Sequence, residues 1–197
     1  RTSSQAILDL TKNSTLTHNS MVYNYNDATF NGTSSYISAD SLLLHPSVVT
    51  VEVIAKQTST NAMGFLVASG NTGTFGYWLS LSYTDITFSS GNGTLTLQHK
   101  YLTSLINTIC HITGVYDGTT SKIYLNGTLV STNSSVSGSL VYTGIPTGAY
   151  IGNCNGGGSA VGRWFQGNIY QAKIYNRALS ASEIRQNFNA IRSRYGI

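Results

Sequence analysis

The chain has 197 residues, enough for one domain with a sizeable hydrophobic core, and we predict a single domain over residues 1–197. Charged residues make up only 9% of the sequence, whereas hydrophobic residues make up 41% and aromatic residues 11%, which excludes an intrinsically disordered chain. The net charge of +4 arises from residue 173 onward, where five basic residues accompany one acid, so it indicates a solvated terminal face and no nucleic-acid partner.

Two further exclusions concern membranes and targeting. No apolar run is long enough to span a bilayer, so we predict no membrane span. No signal peptide precedes Ala6, because the first five residues have no apolar core behind them. We therefore expect the chain to be the C-terminal part of a longer parent protein.

Short strands recur along the chain from Val48 onward. In residues 49–56, valine and alanine on one face alternate with Thr50, Glu52, Ile54 and Lys56 on the other. This is the pattern of a strand in a packed sheet. Asp117-Gly118 and Asn126-Gly127 mark the tight turns of two consecutive hairpins. With no helical periodicity between the strands, the pattern predicts an antiparallel sandwich of two sheets. The further predicted strands are Gly64–Ser69, Tyr77–Ser82, Asp85–Ser89, Thr94–Gln98, Thr108–Tyr116, Ser121–Leu125, Thr128–Thr132, Ala149–Gly152 and Phe165–Tyr175.

The pattern changes from strand to helix close to the C-terminus. Ser180 and Glu183 have the spacing of a capping box, in which each side chain bonds the other residue's backbone amide. The sequence therefore predicts one C-terminal helix that packs an apolar stripe on the sandwich. The stripe consists of Ile184, Phe188, Ile191 and Tyr195.

Six stretches of the sequence, in chain order, resemble the laminin G-like, concanavalin A-like lectin/glucanase family. The resemblance runs from about Ile7 to the C-terminus. Within the family, the stretches at residues 7–13 and 186–197 look most like domains at the C-terminus of tailed-phage virion proteins. The stretches are Phe30–Ile37, Val49–Val53, Cys110–Gly118, Lys122–Val130, Tyr150–Gly152 and Gly167–Ser180.

This resemblance implies an all-β fold, an antiparallel jelly-roll β-sandwich, here with one C-terminal helix. It also implies a sugar- or surface-binding module attached to a larger protein, located on a virion or outside the cell.

The sequence argues against catalysis. The family's glucanases place acidic residues alternately along one strand, whereas the only glutamates here are Glu52 and Glu183, and no strand carries two alternating acids. Cys110 and His111 are neighbours on a strand and point to opposite faces, so they form no nucleophilic pair. We expect His111 to be satisfied by a hydrogen bond within the sheet. We therefore predict that the protein is not an enzyme.

Metal binding and cysteine pairing leave alternatives open. Relatives commonly carry Asp-Glu in the last strand and bind calcium, but this chain has Tyr170-Gln171 there, which removes a carboxylate ligand. We predict no cofactor and keep a structural calcium as an alternative. Cys110 and Cys154 are expected to be buried thiols, with a disulfide between them as the alternative.

Sugar recognition by a rigid sandwich uses an exposed aromatic face with amide and guanidinium groups nearby. The stretch from residue 153 to residue 164 combines these groups, and Trp164 is either exposed there or packed at the start of the last strand. Trp78 is expected in the core. The predicted carbohydrate-binding residues are Asn153, Asn155, Arg163 and Trp164, with Tyr101, after a polar turn at His99-Lys100, and Tyr142 as secondary candidates.

Two functional hypotheses follow. The first is a non-catalytic adhesion module that binds a glycan or cell-surface polysaccharide, with avidity from repeated copies in an oligomeric parent protein. The alternative is a structural capsid or tail decoration domain that contacts other virion proteins and binds no sugar. An apolar surface patch would favour the second hypothesis, and a polar groove with an exposed aromatic side chain the first.

Overall fold

The computed structural model describes residues 15–60, 63–70, 74–94, 96–135, 137–154 and 163–197. Within these ranges the chain forms two antiparallel seven-stranded sheets around a shared core, followed by one helix. The predicted fold class, an antiparallel jelly-roll β-sandwich with a C-terminal helix, is confirmed.

The strands and the helix are numbered in chain order. A 3₁₀ turn covers Leu42–Leu44, and helix α1 covers Ala181–Tyr195. The strands are β1 Thr15–Asn19, β2 Val22–Tyr23, β3 Ala28–Asn31, β4 Tyr36–Asp40, β5 Val49–Gln57, β6 Gly64–Gly70, β7 Phe75–Leu81, β8 Asp85–Asn92, β9 Thr96–Leu102, β10 Ile109–Tyr116, β11 Ser121–Leu125, β12 Thr128–Asn133, β13 Ala149–Ile151 and β14 Gln166–Tyr175.

The strand order brings distant parts of the chain together. The front sheet has the order β1-β4-β13-β6-β7-β8-β9, and the back sheet has the order β12-β11-β10-β5-β14-β3-β2. In the back sheet β5 lies between β10 and β14, and in the front sheet β13 lies between β4 and β6. These pairings place β13, which comes late in the chain, directly beside β4, which comes early.

Strand β9 differs most from its prediction. It covers Thr96–Leu102, and Lys100 pairs with Thr87 of β8, so His99 and Lys100 lie within a strand. The prediction of a polar turn at these two residues is wrong, because the ladder with β8 continues past them. Strands β1 to β4 were not predicted, since they are short and mostly exposed or half-buried, without a plain apolar alternation.

The core between the sheets is closely packed around aromatic rings. The valines at positions 49, 51 and 53 of β5 are fully buried there together with Phe88 of β8. Gly114 of β10 faces the Phe88 ring, and a Cβ atom at this position would lie 2.4 Å from it. Only glycine therefore allows the two sheets to approach at this point.

The outer face of the back sheet is also buried at its centre. Thr50, Glu52 and Ile54 alternate with the core valines, yet each is at most 3% exposed. Helix α1 covers this region and buries Ile184 and Phe188 of its apolar stripe. The predicted packing of the helix on the sandwich is thus confirmed, and it explains why β5 is buried on both faces.

Two pairs of hydrogen bonds fix the start of this helix. The Ser180 side chain accepts a hydrogen bond from the Glu183 backbone N–H, and the Glu183 carboxylate accepts one from the Ser180 N–H, so the predicted capping box is present. Thr50 of β5 donates to the carbonyl of Arg177 and accepts from the N–H of Leu179. The turn that leads into α1 is therefore bonded directly to the central strand.

Glu52 connects the sheet to the middle of the helix. Its carboxylate accepts hydrogen bonds from the Tyr175 hydroxyl at 3.0 Å and from the Asn187 amide at 3.0 and 3.1 Å. A buried carboxylate is costly unless such donors surround it. Asn187 therefore does more than occupy the helix surface, because it compensates a charge beneath α1.

His111 lies beside this carboxylate and is 2% exposed. Its Nε2 is 3.6 Å from Glu52 Oε1, beyond hydrogen-bond distance, and its Nδ1 has no hydrogen-bond partner among the described residues. Within the described residues, the ring therefore lacks the hydrogen bond that the sequence predicted, and that prediction is wrong. Burial, with a smaller effect from the positive charge of Lys173, lowers the His111 pKa to about 4, so the ring is neutral at pH 7.

We predict that Asn187→Ala destabilises the domain. The substitution removes two hydrogen bonds to a buried carboxylate, and a bond to a charged group is worth about 1.5–3 kcal/mol, so the free energy of unfolding should fall by about that amount. Urea denaturation measures the loss. Asn189→Ala, at an exposed position of the same helix, is the matched control and should leave the midpoint unchanged. Equal midpoints for the two variants would contradict this role.

We also predict that the domain loses stability between pH 6.5 and pH 4. Burial lowers the pKa values of His99 and His111 to about 4, from 6.5 for an ordinary histidine. In this window the unfolded chain takes up protons that the folded chain does not, so the free energy of unfolding falls with falling pH by about 1 kcal/mol per pH unit for each histidine.

Urea denaturation at several pH values tests this dependence. His111→Gln should flatten the slope, whereas His18→Gln, at an exposed position, should retain it. A stability that is constant from pH 6.5 to pH 4 would refute the prediction.

Candidate functional site

Three aromatic side chains form a row on the outer surface of the front sheet. Tyr36 lies in β4, Tyr150 lies in β13, and Trp164 lies two residues before the start of β14. The Tyr36 ring centroid is 5.8 Å from that of Tyr150 and 6.2 Å from that of Trp164, with interplanar angles of 41° and 42°. All three residues are half-buried. We call this row the aromatic platform.

Strand alternation directs the two tyrosines outward. Ile37 of β4 belongs to the core, so its neighbours Tyr36 and Ser38 point to the outer face. Tyr150 pairs directly with Ser38 and shares that face. The antiparallel pairing of β4 with β13 therefore brings the two tyrosine rings together.

Trp164 is positioned by the backbone around it. Phe65 donates its N–H to the carbonyl of Arg163, and Phe165 donates its N–H to the carbonyl of Gly152. Phe165 is fully buried in the core, which leaves Trp164 on the outer side. Gly152 has φ +84°, and a Cβ atom there would lie 2.2 Å from the Phe30 ring, so this position requires glycine.

Charged groups flank the platform. Asp40, at the end of β4, is exposed and accepts a hydrogen bond from the Thr147 hydroxyl at 2.7 Å. The pKa of Tyr150 is raised mainly by burial, and also by the neighbouring Tyr36 and by the negative charge of Asp40. At the other side Arg163 is half-buried, and its positive charge partly offsets the rise that burial causes in the Cys154 thiol pKa.

Of the two predicted asparagines, the described residues include only Asn153. Asn155 lies outside the described residues. Asn153 is 6% exposed, and its side-chain oxygen accepts a hydrogen bond from the Cys154 N–H at 2.8 Å. The Asn153 amide oxygen is thus already bonded to the backbone, and the role of this residue in sugar binding stays a prediction.

The secondary candidates Tyr101 and Tyr142 lie away from the platform's rings. Tyr101, in β9, is half-buried and packs against the core. Tyr142 donates its hydroxyl to the carbonyl of Pro46, and its ring stacks on His45 at 4.1 Å between centroids. Both rings take part in packing, and their role as carbohydrate-binding residues stays a prediction.

Of the predicted set, Trp164 lies in the platform and Arg163 precedes it in the chain. Tyr36 and Tyr150 were not predicted, although both fall within the stretches that resemble the family. Each tyrosine is adjacent to an isoleucine that packs against the core, and this alternation was the available signal. The sequence did not reveal that β4 and β13 are neighbours.

The two cysteines are not bonded to each other, and the possible metal ligands are not clustered among the described residues. Cys110 and Cys154 are both buried free thiols, so the alternative of a disulfide between them is wrong. Among the described residues, no group of three or more histidine, cysteine, aspartate or glutamate side chains could hold a metal ion. The same part of the chain has no helix long and apolar enough to cross a membrane. A structural calcium remains an untested alternative.

The two tryptophans of the chain should differ in solvent access. Trp78 is 1% exposed, as predicted for a core residue, whereas Trp164 is half-buried at the surface. We expect iodide to quench the fluorescence of wild type and of Trp78→Phe, but to have little effect on Trp164→Phe. Undiminished quenching in Trp164→Phe would contradict the exposure of the platform.

Comparison with known proteins places the fold in a family. The family model described as the concanavalin A-like lectin/glucanases superfamily, of laminin G type, matches residues 31–185. No curated protein matches the chain.

Solved structures of botulinum neurotoxins share the fold. One is a structure of neurotoxin type C, whose cell entry depends on interaction with two ganglioside molecules. It has a TM-score of 0.71 at 11% identity, and the match covers 90% of this chain and 46% of the neurotoxin chain. The serotype G binding domain has a TM-score of 0.72 at 14% identity, covering 91% and 47%. The binding domain of neurotoxin DC, in complex with rat synaptotagmin II, has a TM-score of 0.69 at 11% identity, covering 90% and 47%.

This chain thus spans less than half of each of these structures, and at such identities the likeness concerns the fold alone. The family model, in contrast, covers most of the sequence, from β3 into α1. The chain belongs to the concanavalin A-like lectin/glucanases superfamily, with a domain of laminin G type.

Proposed function

We propose that this domain is a non-catalytic glycan-binding module, and that residues 1–197 act as one unit of a longer protein. The aromatic platform is the observation that carries the proposal. Half-exposed aromatic rings offer apolar faces on which sugar rings stack, and nearby polar groups can bond their hydroxyls. Asp40 supplies acceptors at the Tyr150 end, and Arg163 supplies donors beside Trp164.

The positions of the glutamates support a role without catalysis. Glycoside hydrolysis requires two carboxyl groups on either side of the scissile bond. Glu52 is buried beneath α1, and Glu183 caps the helix and pairs with Arg177 at 2.8 Å. Both side chains therefore stabilise the fold and are unsuited to a shared cleft.

The structural relatives support binding as a class of function. Cell entry of neurotoxin type C depends on interaction with two ganglioside molecules, and the neurotoxin DC binding domain forms a complex with rat synaptotagmin II. Because the chain covers under half of those structures, their particular ligands are not carried over. We propose an extracellular or virion-surface location and a cell-surface polysaccharide as partner, with avidity from repeated copies if the parent protein is oligomeric.

A second candidate is a structural decoration domain that contacts other virion proteins. Leu42 and Leu43 lie side by side in the 3₁₀ turn and are 72% and 58% exposed, and Leu102 at the end of β9 is 76% exposed. Exposed apolar side chains of this size are typical of protein contacts when they form a patch. These leucines are the observation that favours the alternative.

A glycan array with and without calcium distinguishes the two candidates. Wild type should bind a specific glycan, and Trp164→Ala and Tyr36→Ala should each weaken binding by about tenfold or more, because loss of an anchoring aromatic side chain typically costs over 1 kcal/mol. Tyr25→Ala is the matched control, since Tyr25 is 82% exposed and follows β2 at the edge of the back sheet.

Failure of the folded wild type to bind any glycan would reject the glycan-binding function and favour the structural one. Binding that disappears only when calcium is removed would instead establish a calcium requirement.

A further inference from the structure

The aromatic platform is longer than a single ring. Tyr36 is its middle member and contacts both Tyr150 and Trp164. No ring contact joins Tyr150 to Trp164 among the described residues. A row of this kind presents successive apolar faces, which suits consecutive sugar rings of a chain better than one isolated monosaccharide.

The two ends of the platform carry opposite charge. Asp40 lies two residues after Ser38, the β4 partner of Tyr150, so its exposed carboxylate is on the same face of β4 and gives the Tyr150 end a negative charge. Arg163 immediately precedes Trp164 in the chain, and its charge acts on Cys154, which packs with Trp78 and Phe65 on the outer side of the front sheet.

No acidic side chain among the described residues neutralises Arg163. The arginine forms no salt bridge with the described residues, and the sequence from residue 155 to residue 162 contains no aspartate or glutamate. A guanidinium group is planar and presents paired donors that match a carboxylate. A half-buried arginine beside a stacking surface is thus suited to an anionic ligand group.

We propose that the platform binds an acidic oligosaccharide segment, with the carboxylate of one sugar at Arg163 and neutral sugar hydroxyls at Asp40. This inference rests on the proposed glycan-binding function and specifies the ligand class of the same site. Asp40 contributes by repulsion as well, because a second carboxylate at the Tyr150 end would lie near its charge. The ligand therefore binds in one direction, with its acidic sugar towards Trp164.

The first test compares two forms of each ligand against the unaltered domain. The probes are polysaccharides and oligosaccharides that contain uronic or sialic acids, each also supplied after chemical reduction of its carboxyl groups to alcohols. Reduction keeps the sugar ring and removes the charge. We expect binding of at least one acidic probe, and binding about tenfold weaker or more to its reduced form, because bonds to charged groups are the stronger ones.

The second test uses Arg163→Gln with Arg185→Gln as the matched control. Both substitutions remove one positive charge, but Arg185 is exposed on α1, which covers the back sheet. Arg163→Gln should weaken binding of the acidic probe by about tenfold while changing that of the reduced probe less than twofold. Arg163→Lys keeps the charge without the paired donors and should fall between wild type and Arg163→Gln. Thermal unfolding of each variant verifies the fold.

Each outcome is decisive. Equal binding of acidic and reduced probes, or an equal loss in Arg185→Gln, overturns the acidic-ligand proposal while leaving glycan binding intact. Binding of neutral glycans alone has the same consequence. A folded domain that binds no glycan at all overturns both this inference and the function on which it rests.

Discussion

The burial of strand β5 on both faces is the constraint on which the rest of the structure depends. Its inner valines pack against the front sheet, and its outer side chains lie beneath α1. Its backbone is bonded on both edges, to β10 and to β14. A polar residue on such a strand must find partners within the protein, and Thr50 and Glu52 find them in the turn before α1 and in the helix itself.

This constraint makes the sandwich asymmetric. The helix occupies the outer face of the back sheet, so that face has an intramolecular partner over its centre. The front sheet instead presents Tyr36 and Tyr150 at its surface, with Trp164 beside them. The helix thus stabilises one side of the domain, and the opposite side carries the groups that a ligand would contact.

The fold by itself does not decide between sugar binding and sugar cleavage, since one superfamily contains both lectins and glucanases. The positions of the side chains support the proposed binding function. The Glu52 carboxylate accepts hydrogen bonds from Tyr175 and Asn187 beneath α1, and Glu183 takes part in the helix cap. Aromatic faces and a guanidinium group need no proton transfer to bind a sugar, and the aromatic platform and Arg163 are both partly exposed.

The sequence by itself determined the features that depend on neighbouring residues. The capping box needs only Ser180 and Glu183, and the Asn126-Gly127 turn is formed by those two residues with φ values of +49° and +73°. Strand alternation likewise predicted most of the strands from β5 onward and the burial of Trp78. Such features are local in energy, so a short window of sequence contains their causes.

Only the tertiary structure decided the platform, because its three rings come from segments far apart in the chain that strand pairing brings together. It also decided that Asn153, Tyr101 and Tyr142 are used in packing or backbone bonds, and that Glu52 is covered by a helix that begins more than a hundred residues later. Burial and side-chain contacts depend on segments that are distant in the chain and that the strand order brings together. No local pattern in this sequence specifies that order.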